Sequence, residues 1–286
     1  MKYLILAVNI WILGCLIPAS AQKKSVPPKG KLFIIGGGDR PPSLMKSLVA
    51  TAELLPTDYV VVLPMSSANP DTSYFYFKTD LELECQNKIV NFNFTKEKVN
   101  DIKWLDSLEH AKLIFITGGD QDRFMNIVLN TPVFNSIHTA YVNGSTIAGT
   151  SAGAAVMSQH MITGAELTDT TYRSTFRKLQ HNNIEIKEGL GLLTTAVIDQ
   201  HFIIRSRYNR LLSAIAKYPS LACIGIDETT AIIVKNNKAE VAGIGQVVVL
   251  QNPKDLQITV DGLIKIKDLK FSIYTNGDQF LINHSH

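Results

Sequence analysis

The chain has 286 residues, of which 45% are hydrophobic and 19% are charged, with a formal net charge of +3. This length suits one large α/β domain or two small ones, and the apolar content supports a full-sized core, which excludes a disordered or tail-rich protein. Because the basic residues are scattered along the sequence, the chain lacks the electrostatic footprint of a nucleic-acid-binding protein.

The N-terminus has the pattern of a secretory signal peptide over residues 1–21. Lys2 gives a charged start, Leu4 to Leu16 form an apolar stretch, and Ala-Ser-Ala at 19–21 is a small-x-small cleavage site. The stretch is shorter than the roughly 20 residues of a membrane span. We therefore predict an exported protein, periplasmic or secreted, with no membrane contact after cleavage. The alternative is lipoprotein anchoring at Cys15.

Cleavage would leave Cys85 and Cys223, which are too few for a disulfide framework in a chain of this length. We expect them to be half-buried thiols, although a single disulfide remains arithmetically open. Residues 22–30 would form an exposed tether. Residues 31–286 would form a single α/β hydrolytic domain with a β-rich C-terminal part over 231–286.

Apolar runs that end in Gly-rich or polar loops alternate with segments of helical period. An alternation of this kind predicts a doubly wound, mostly parallel sheet, in which ligands bind at the carboxyl ends of the strands. The strands are predicted at 31–35, 59–64, 113–116 and 193–197, and the helices at 43–55, 75–90, 122–138 and 202–217. After Cys223 the pattern changes to strands and turns, with a hairpin signal at Asn236-Asn237.

The sequence Gly-Thr-Ser-Ala-Gly at 149–153 follows a short apolar run and precedes small helix-forming residues. This is the pattern of a nucleophile elbow, in which a strained turn presents a serine hydroxyl above the sheet. We predict that Ser151 is the nucleophile. The backbone N–H groups of Ala152 and of Gly119, which lies in a Gly-Gly turn after another strand, are the expected oxyanion donors.

A serine hydroxyl needs a base, and the base needs an orienting group. Of the seven histidines, His201 directly follows a predicted strand end, from which it could face the elbow. For the acid, Asp227 and Glu228 lie together between apolar strands, and the alternation of residues does not decide between these two. Glu166, beyond the elbow helix, is a further candidate, and we rank Glu228 first and Glu166 second. Near His201 lie Arg205, Arg207 and Arg210; such clusters bind carboxylates in bidentate pairs.

Together these motifs resemble the cyanophycinases of peptidase family S51, the serine peptidase family that also contains aspartyl dipeptidase E. The matching stretches span roughly residues 31–234, from the Gly-Gly-Gly at 36–38 to the Gly-Ile-Asp-Glu at 225–228. The resemblance implies a fold like the class I glutamine amidotransferases (flavodoxin-like) and a triad of Ser151, His201 and Glu228. It also implies a substrate pocket, formed by Gln121, Asp199, Gln200, Arg205, Arg207 and Arg210.

The resemblance further implies hydrolysis of cyanophycin, a polyaspartate chain with arginine joined to each side-chain carboxyl, to β-aspartyl-arginine dipeptides. Two alternatives stay open: an aspartyl dipeptidase on small peptides, and a non-catalytic envelope protein that binds carbohydrate or peptide on the same scaffold. No metal-ligand spacing, P-loop or dinucleotide fingerprint is present in the sequence, so we expect no metal and no cofactor. The oligomeric state is open, a homodimer included.

Overall fold

The structure is a computed structural model, and it describes residues 27–168 and 178–282. The predicted signal peptide, Cys15 and most of the predicted tether lie outside these residues. Within the two described ranges no helix is both long enough and apolar enough to cross a membrane.

The described residues form strands and helices that alternate in the first part of the chain, followed by a strand-rich part. The strands are β1 (Lys31–Ile35), β2 (Tyr59–Leu63), β3 (Lys88–Asn91), β4 (Leu113–Ile116), β5 (Thr146–Thr150), β6 (His160–Glu166), β7 (Ile184–Glu188), β8 (Ala196–Gln200), β9 (Ala222–Ile226), β10 (Thr230–Lys235), β11 (Lys238–Gly243), β12 (Val247–Lys254), β13 (Gln257–Ile258), β14 (Ile264–Lys265), β15 (Asp268–Tyr274) and β16 (Gln279–Leu281). The helices are α1 (Pro42–Ala52), α2 (Pro70–Glu82), α3 (Ile102–Glu109), α4 (Gln121–Val128), α5 (Pro132–Asn143), α6 (Ala152–Ala155) and α7 (Tyr208–Lys217).

An eight-stranded sheet forms the centre, in the order β16-β11-β10-β1-β5-β4-β2-β3. The strands from β1 to β3 in this order are parallel, whereas β10, β11 and β16 are antiparallel. In β1, Leu32 and Ile34 face one core cluster and Phe33 and Ile35 face the other, so both sides of the strand are covered. Double coverage explains the continuous apolar runs. The predicted doubly wound, mostly parallel sheet is confirmed.

The predicted β-rich C-terminal part is also confirmed, and its strands are divided among three sheets, the smallest of which is the pair β13-β14. β10, β11 and β16 extend the central sheet, whereas β12 and β15 join β9 and β8 in a second sheet of order β15-β12-β9-β8. β10 and β11 form the hairpin indicated by Asn236-Asn237, and Asn236 has a φ of 54°, which the tight turn requires. Cys85 and Cys223 are free thiols, the first half-buried and the second buried.

Two predicted helices have the wrong bounds, and proline is the reason in both cases. The helix expected over 75–90 is α2, which begins at Pro70 and ends at Glu82, and residues 88–91 form β3 instead. The helix expected over 122–138 is divided into α4 and α5, and α5 begins at Pro132. Proline is favoured in the first turn of a helix and disrupts a helix interior.

The helix expected over 202–217 is also wrong, because α7 begins only at Tyr208 and residues 201–207 form turns. His201 and Ser206 have left-handed φ values of 48° and 51°, and the Asp227 carboxylate accepts the N–H groups of Ile203 and Ile204, each at 3.0 Å. The preceding strand, expected at 193–197, is β8 at Ala196–Gln200. Asp199 and Gln200 therefore lie within a strand.

Candidate active site

Ser151 occupies a sharp turn between β5 and α6, with φ 53° and ψ −109°. Its backbone N–H donates to Ile35 O of β1 at 3.0 Å, which holds the turn against the neighbouring strand. A Cβ at Gly149 would lie 2.4 Å from Gly153 O, and one at Gly153 would lie 2.2 Å from Ile116 O. Both glycines are therefore required by close backbone approach, as a nucleophile elbow demands.

His201 lies between the serine hydroxyl and a carboxylate. Its Nε2 is 2.8 Å from Ser151 Oγ, and its Nδ1 is 2.5 Å from Glu228 Oε1. Because an ionised carboxylate only accepts hydrogen bonds, Nδ1–H donates to Glu228 and Nε2 is left to accept the serine proton. The carboxylate at Nδ1 is that of Glu228; the alternative acid, Glu166, lies at the end of β6 opposite Ile184 of β7.

The glycine loop at 36–38 positions the side chains of His201 and Glu228. His201 N–H donates to Gly36 O at 2.7 Å, and a Cβ at Gly37 would lie 2.3 Å from His201 Cε1. A Cβ at Gly38 would lie 2.7 Å from Glu228 Cβ. The glycines of this loop thus make room for the histidine and the glutamate, a role that sequence reasoning missed.

The surroundings of His201 favour the neutral imidazole. Burial is the largest influence and lowers the pKa of His201, whereas the hydrogen bond and charge of Glu228 act to raise it. The positive charges of Arg205 and Arg207 lower it further, and the net shift is downward. A neutral imidazole at Ser151 is the form that can accept a proton.

Four of the six predicted pocket residues, Asp199, Gln200, Arg207 and Arg210, form a connected polar network. Arg210 donates from Nε to Asp199 Oδ2 at 2.8 Å and pairs with the other carboxylate oxygen as well. Arg207 donates to the backbone oxygen of Gln200 at 2.6 Å and to its side-chain oxygen at 2.5 Å. Since Asp199 is fully buried and bound by Arg210, this carboxylate holds α7 against β8.

Gln121 and Arg205 complete the predicted set, in different ways. Gln121 is buried and its amide donates to Ile162 O at 2.9 Å and Thr163 O at 2.5 Å, both in β6. Arg205 is exposed and makes no ion pair within the described residues, although its charge acts on His201. Of the three predicted arginines, Arg205 is the one that lies open to a ligand.

Comparison with known proteins decides the family. The model of Peptidase family S51 matches residues 32–242. The chain belongs to Peptidase family S51. It is therefore a serine-type peptidase, and the predicted resemblance is confirmed.

Relatives of this S51 peptidase include cyanophycinases. One from Trichormus variabilis is 32% identical over 230 residues, which cover 78% of this chain and 74% of the relative. Another from Geminocystis herdmanii is 34% identical over 188 residues, or 63% of this chain and 66% of the relative.

Two crystal structures show the same fold. A peptidase from an acI-B1 Actinobacterium has a TM-score of 0.63 at 20% identity, covering 88% of this chain and 97% of that chain. A putative peptidase E from Listeria monocytogenes has a TM-score of 0.51 at 14% identity, covering 76% of this chain and 99% of that chain.

The expected oxyanion donors of the S51 peptidase lie at the start of α6 and in the turn after β4. Ala152 is the first residue of α6, where a helix supplies no acceptor of its own for the N–H group. The turn that contains Gly119 passes beside the nucleophile, since a Cβ at Gly118 would lie 3.4 Å from Ser151 Cβ. Gly119 itself has a φ of 138° and approaches Ser66 O so closely that a Cβ would lie 2.2 Å away.

A cavity of about 280 Å³, here named the Ser151 cavity, opens beside the nucleophile and His201. Arg40, Ser73 and Tyr76, which no sequence motif singled out, lie in its wall. In the described part of the chain no group of three or more His, Cys, Asp or Glu side chains is arranged to hold a metal ion.

Proposed function

We propose that this S51 peptidase is a cyanophycinase that releases β-aspartyl-arginine dipeptides through an acyl-enzyme on Ser151. The observation that carries the proposal is the chain of hydrogen bonds from Ser151 Oγ through His201 to Glu228, at 2.8 and 2.5 Å. The names of the relatives that share about a third of its residues support the choice of substrate.

In the proposed first step, His201 Nε2 takes the proton of Ser151 as Oγ attacks the carbonyl carbon of the scissile amide. The N–H groups of Ala152 and Gly119 stabilise the oxyanion of the tetrahedral intermediate. Glu228 holds the imidazole in the correct tautomer and stabilises the imidazolium. His201 then gives the proton to the leaving amine, and the acyl-enzyme remains.

In the second step, His201 takes a proton from water, and the resulting hydroxide attacks the acyl carbon. Collapse of the intermediate returns the proton to Ser151 and releases the acid product. Arg205, exposed and close enough to influence His201, would bind a free α-carboxylate of the arginines that cyanophycin carries. The other pocket residues act through the network described above, in which Arg210 and Gln121 hold α7 and β6 in place.

The test is release of β-aspartyl-arginine from purified cyanophycin. We expect the wild-type protein to release the dipeptide and Ser151→Ala to lose about 10³-fold or more in kcat, as removal of a triad nucleophile does. The two candidate acids give a matched comparison: Glu228→Gln should lower kcat by roughly 10²- to 10⁴-fold, and Glu166→Gln should change it much less.

Each result separates one claim from the others. If the wild-type protein releases no dipeptide while a fluorophosphonate probe still labels Ser151, the substrate is wrong and the nucleophile stands. Full activity of Ser151→Ala would refute the nucleophile. A larger loss in Glu166→Gln than in Glu228→Gln would refute the assignment of the acid.

A further inference from the structure

We propose that the Ser151 cavity is a subsite for a carboxylate of the substrate, and that Arg40 is its specificity-determining residue. The inference rests on the proposed function for its substrate class, a peptide that carries free carboxylates. It concerns a place next to the nucleophile that is distinct from the Arg205 side of the site.

One face of α2 forms part of the cavity wall. Ser73, Tyr76 and Phe77 line the cavity, and Asp80 lies on the same face of the helix, three residues after Phe77. Phe77 stacks on Phe115 of β4 with a centroid distance of 3.6 Å and an interplanar angle of 12°. This pair forms an apolar wall of the cavity and fixes the distance between α2 and the sheet.

Arg40 brings a positive charge into this wall. It follows the glycine loop after β1, and its Nε and one terminal nitrogen both donate to Asp80 Oδ2, at 2.9 and 2.7 Å. Asp80 therefore orients the guanidinium through a single oxygen. An arginine carries five N–H donors in a planar fork, so this arrangement leaves donors for a second anion.

Two threonines that line the cavity have buried hydroxyls without a protein partner. Thr117 at the end of β4 and Thr150 at the end of β5 both line it, and they are 2% and 6% exposed. Neither hydroxyl has a hydrogen-bond partner among the described residues. Because an unpartnered buried polar group is costly, a polar ligand that reaches these two hydroxyls would remove that cost.

The chemistry of the lining selects a carboxylate. Arg40 is the permanent charge in the lining, no acidic residue is part of it, and His201 is held toward its neutral form. An anion would receive charge-assisted hydrogen bonds from the guanidinium, whereas a cation would be repelled by it. A volume of about 280 Å³ is below that of a typical drug-sized site, so it suits one small acidic group.

The test measures how small acids protect Ser151 from a fluorophosphonate probe. Succinamate and succinamide have nearly the same size, and they differ in that the first carries one carboxylate. We expect succinamate to protect the wild-type protein at a concentration about tenfold or more below that of succinamide, because a hydrogen bond to a charged group is the stronger kind. In Arg40→Gln that difference should disappear, and in Thr117→Val combined with Thr150→Val it should shrink.

Asp80→Asn is the matched control, because it removes the partner of Arg40 and keeps the guanidinium. If Arg40 binds the anion, this variant should keep or enlarge the preference for succinamate. An equal loss in Arg40→Gln and Asp80→Asn would mean that Arg40 only anchors α2, and the subsite would be refuted. No preference in the wild-type protein would refute it too. Since the probe needs no natural substrate, a failure to digest cyanophycin would count against the proposed function alone.

Discussion

At the scale of single residues, the chemistry of the site depends on which form of His201 is favoured. Glu228 pulls the imidazole toward the protonated form, while burial and two arginines pull it toward the neutral form. Burial is the largest influence, so the neutral base prevails even though a carboxylate is hydrogen-bonded to it. During the reaction the balance reverses, because Glu228 stabilises the imidazolium only once the serine proton has been transferred.

Arg205 gives a direct test of that balance. The charge of Arg205 lowers the pKa of His201, so Arg205→Gln should raise this pKa. The acidic limb of the pH–rate profile, where the rate falls because His201 becomes protonated, should therefore move to higher pH. The measurement is the fluorophosphonate labelling rate of Ser151 against pH, which requires no bound substrate carboxylate. Lys254→Gln removes an exposed lysine of the second sheet and should leave the limb in place. If the acidic limb of the pH–rate profile is unchanged or moves to lower pH in Arg205→Gln, the charge of Arg205 does not lower the pKa of His201.

At the scale of elements, the strands of the parallel sheet could be predicted closely and the helices less well. β1, β2 and β4 are buried on both faces, so their apolar runs mark their bounds. α2 was placed too far along the chain, over 75–90, and two large apolar residues of that range, Tyr76 and Leu83, are 60% and 75% exposed. The Asn-Pro at 69–70 was the signal that marks its start.

The residues of the candidate site also differ in whether a local sequence pattern predicts them. The Gly-x-Ser-x-Gly pattern and the histidine after a strand are local signals, so Ser151 and His201 could be found from sequence. Glu228 was ranked first among the candidate acids, but no local signal shows its contact with His201, because the two residues are 27 positions apart. Arg40 and Asp80 are likewise separated by 40 positions, and no local sequence pattern predicts their contact.

The loop of glycines after β1 yields a prediction at this scale. Gly37→Ala should displace His201, because the new Cβ would lie 2.3 Å from His201 Cε1 at a φ of 120°. Gly191 is the matched control, since it has a φ of 66° with nothing within 4 Å of the added Cβ. Gly191→Ala should therefore cost only backbone strain, about 1 kcal/mol of unfolding free energy with full activity.

Activity and denaturant unfolding, measured on both variants, separate the clash from the strain. We expect Gly37→Ala to lose about 10²-fold in kcat, since a misplacement of about 1 Å costs this much. Equal activity in the two alanine variants would show that His201 does not depend on the space at Gly37.

At the scale of the whole molecule, the site lies where two sheets meet. Ser151 follows β5 of the central sheet, whereas His201 follows β8 and Glu228 follows β9 of the second sheet. Backbone hydrogen bonds from His201 N to Gly36 O at 2.7 Å and from Thr229 N to Gly37 O at 2.9 Å join the two. A change in the angle between the sheets would therefore separate the nucleophile from its base.

The end of the described chain also joins the two sheets. Phe280 of β16, in the central sheet, is 7% exposed and stacks on Tyr274 of β15, in the second sheet, with a centroid distance of 4.5 Å. We predict that Phe280→Ala lowers the free energy of unfolding by about 3–5 kcal/mol, as large-to-small changes of buried aromatic residues do. The neighbouring Leu281 is 58% exposed, so Leu281→Ala should stay within about 0.5 kcal/mol of the wild type.

The decisive measurement is thermal unfolding followed by two probes, circular dichroism for the whole chain and fluorophosphonate labelling for the site. If the C-terminal strands are integral to one domain, Phe280→Ala should move both curves to the same lower temperature, because one cooperative unit melts at once. An early transition in circular dichroism, with labelling of Ser151 retained to the wild-type temperature, would instead show that these strands unfold as a separate unit.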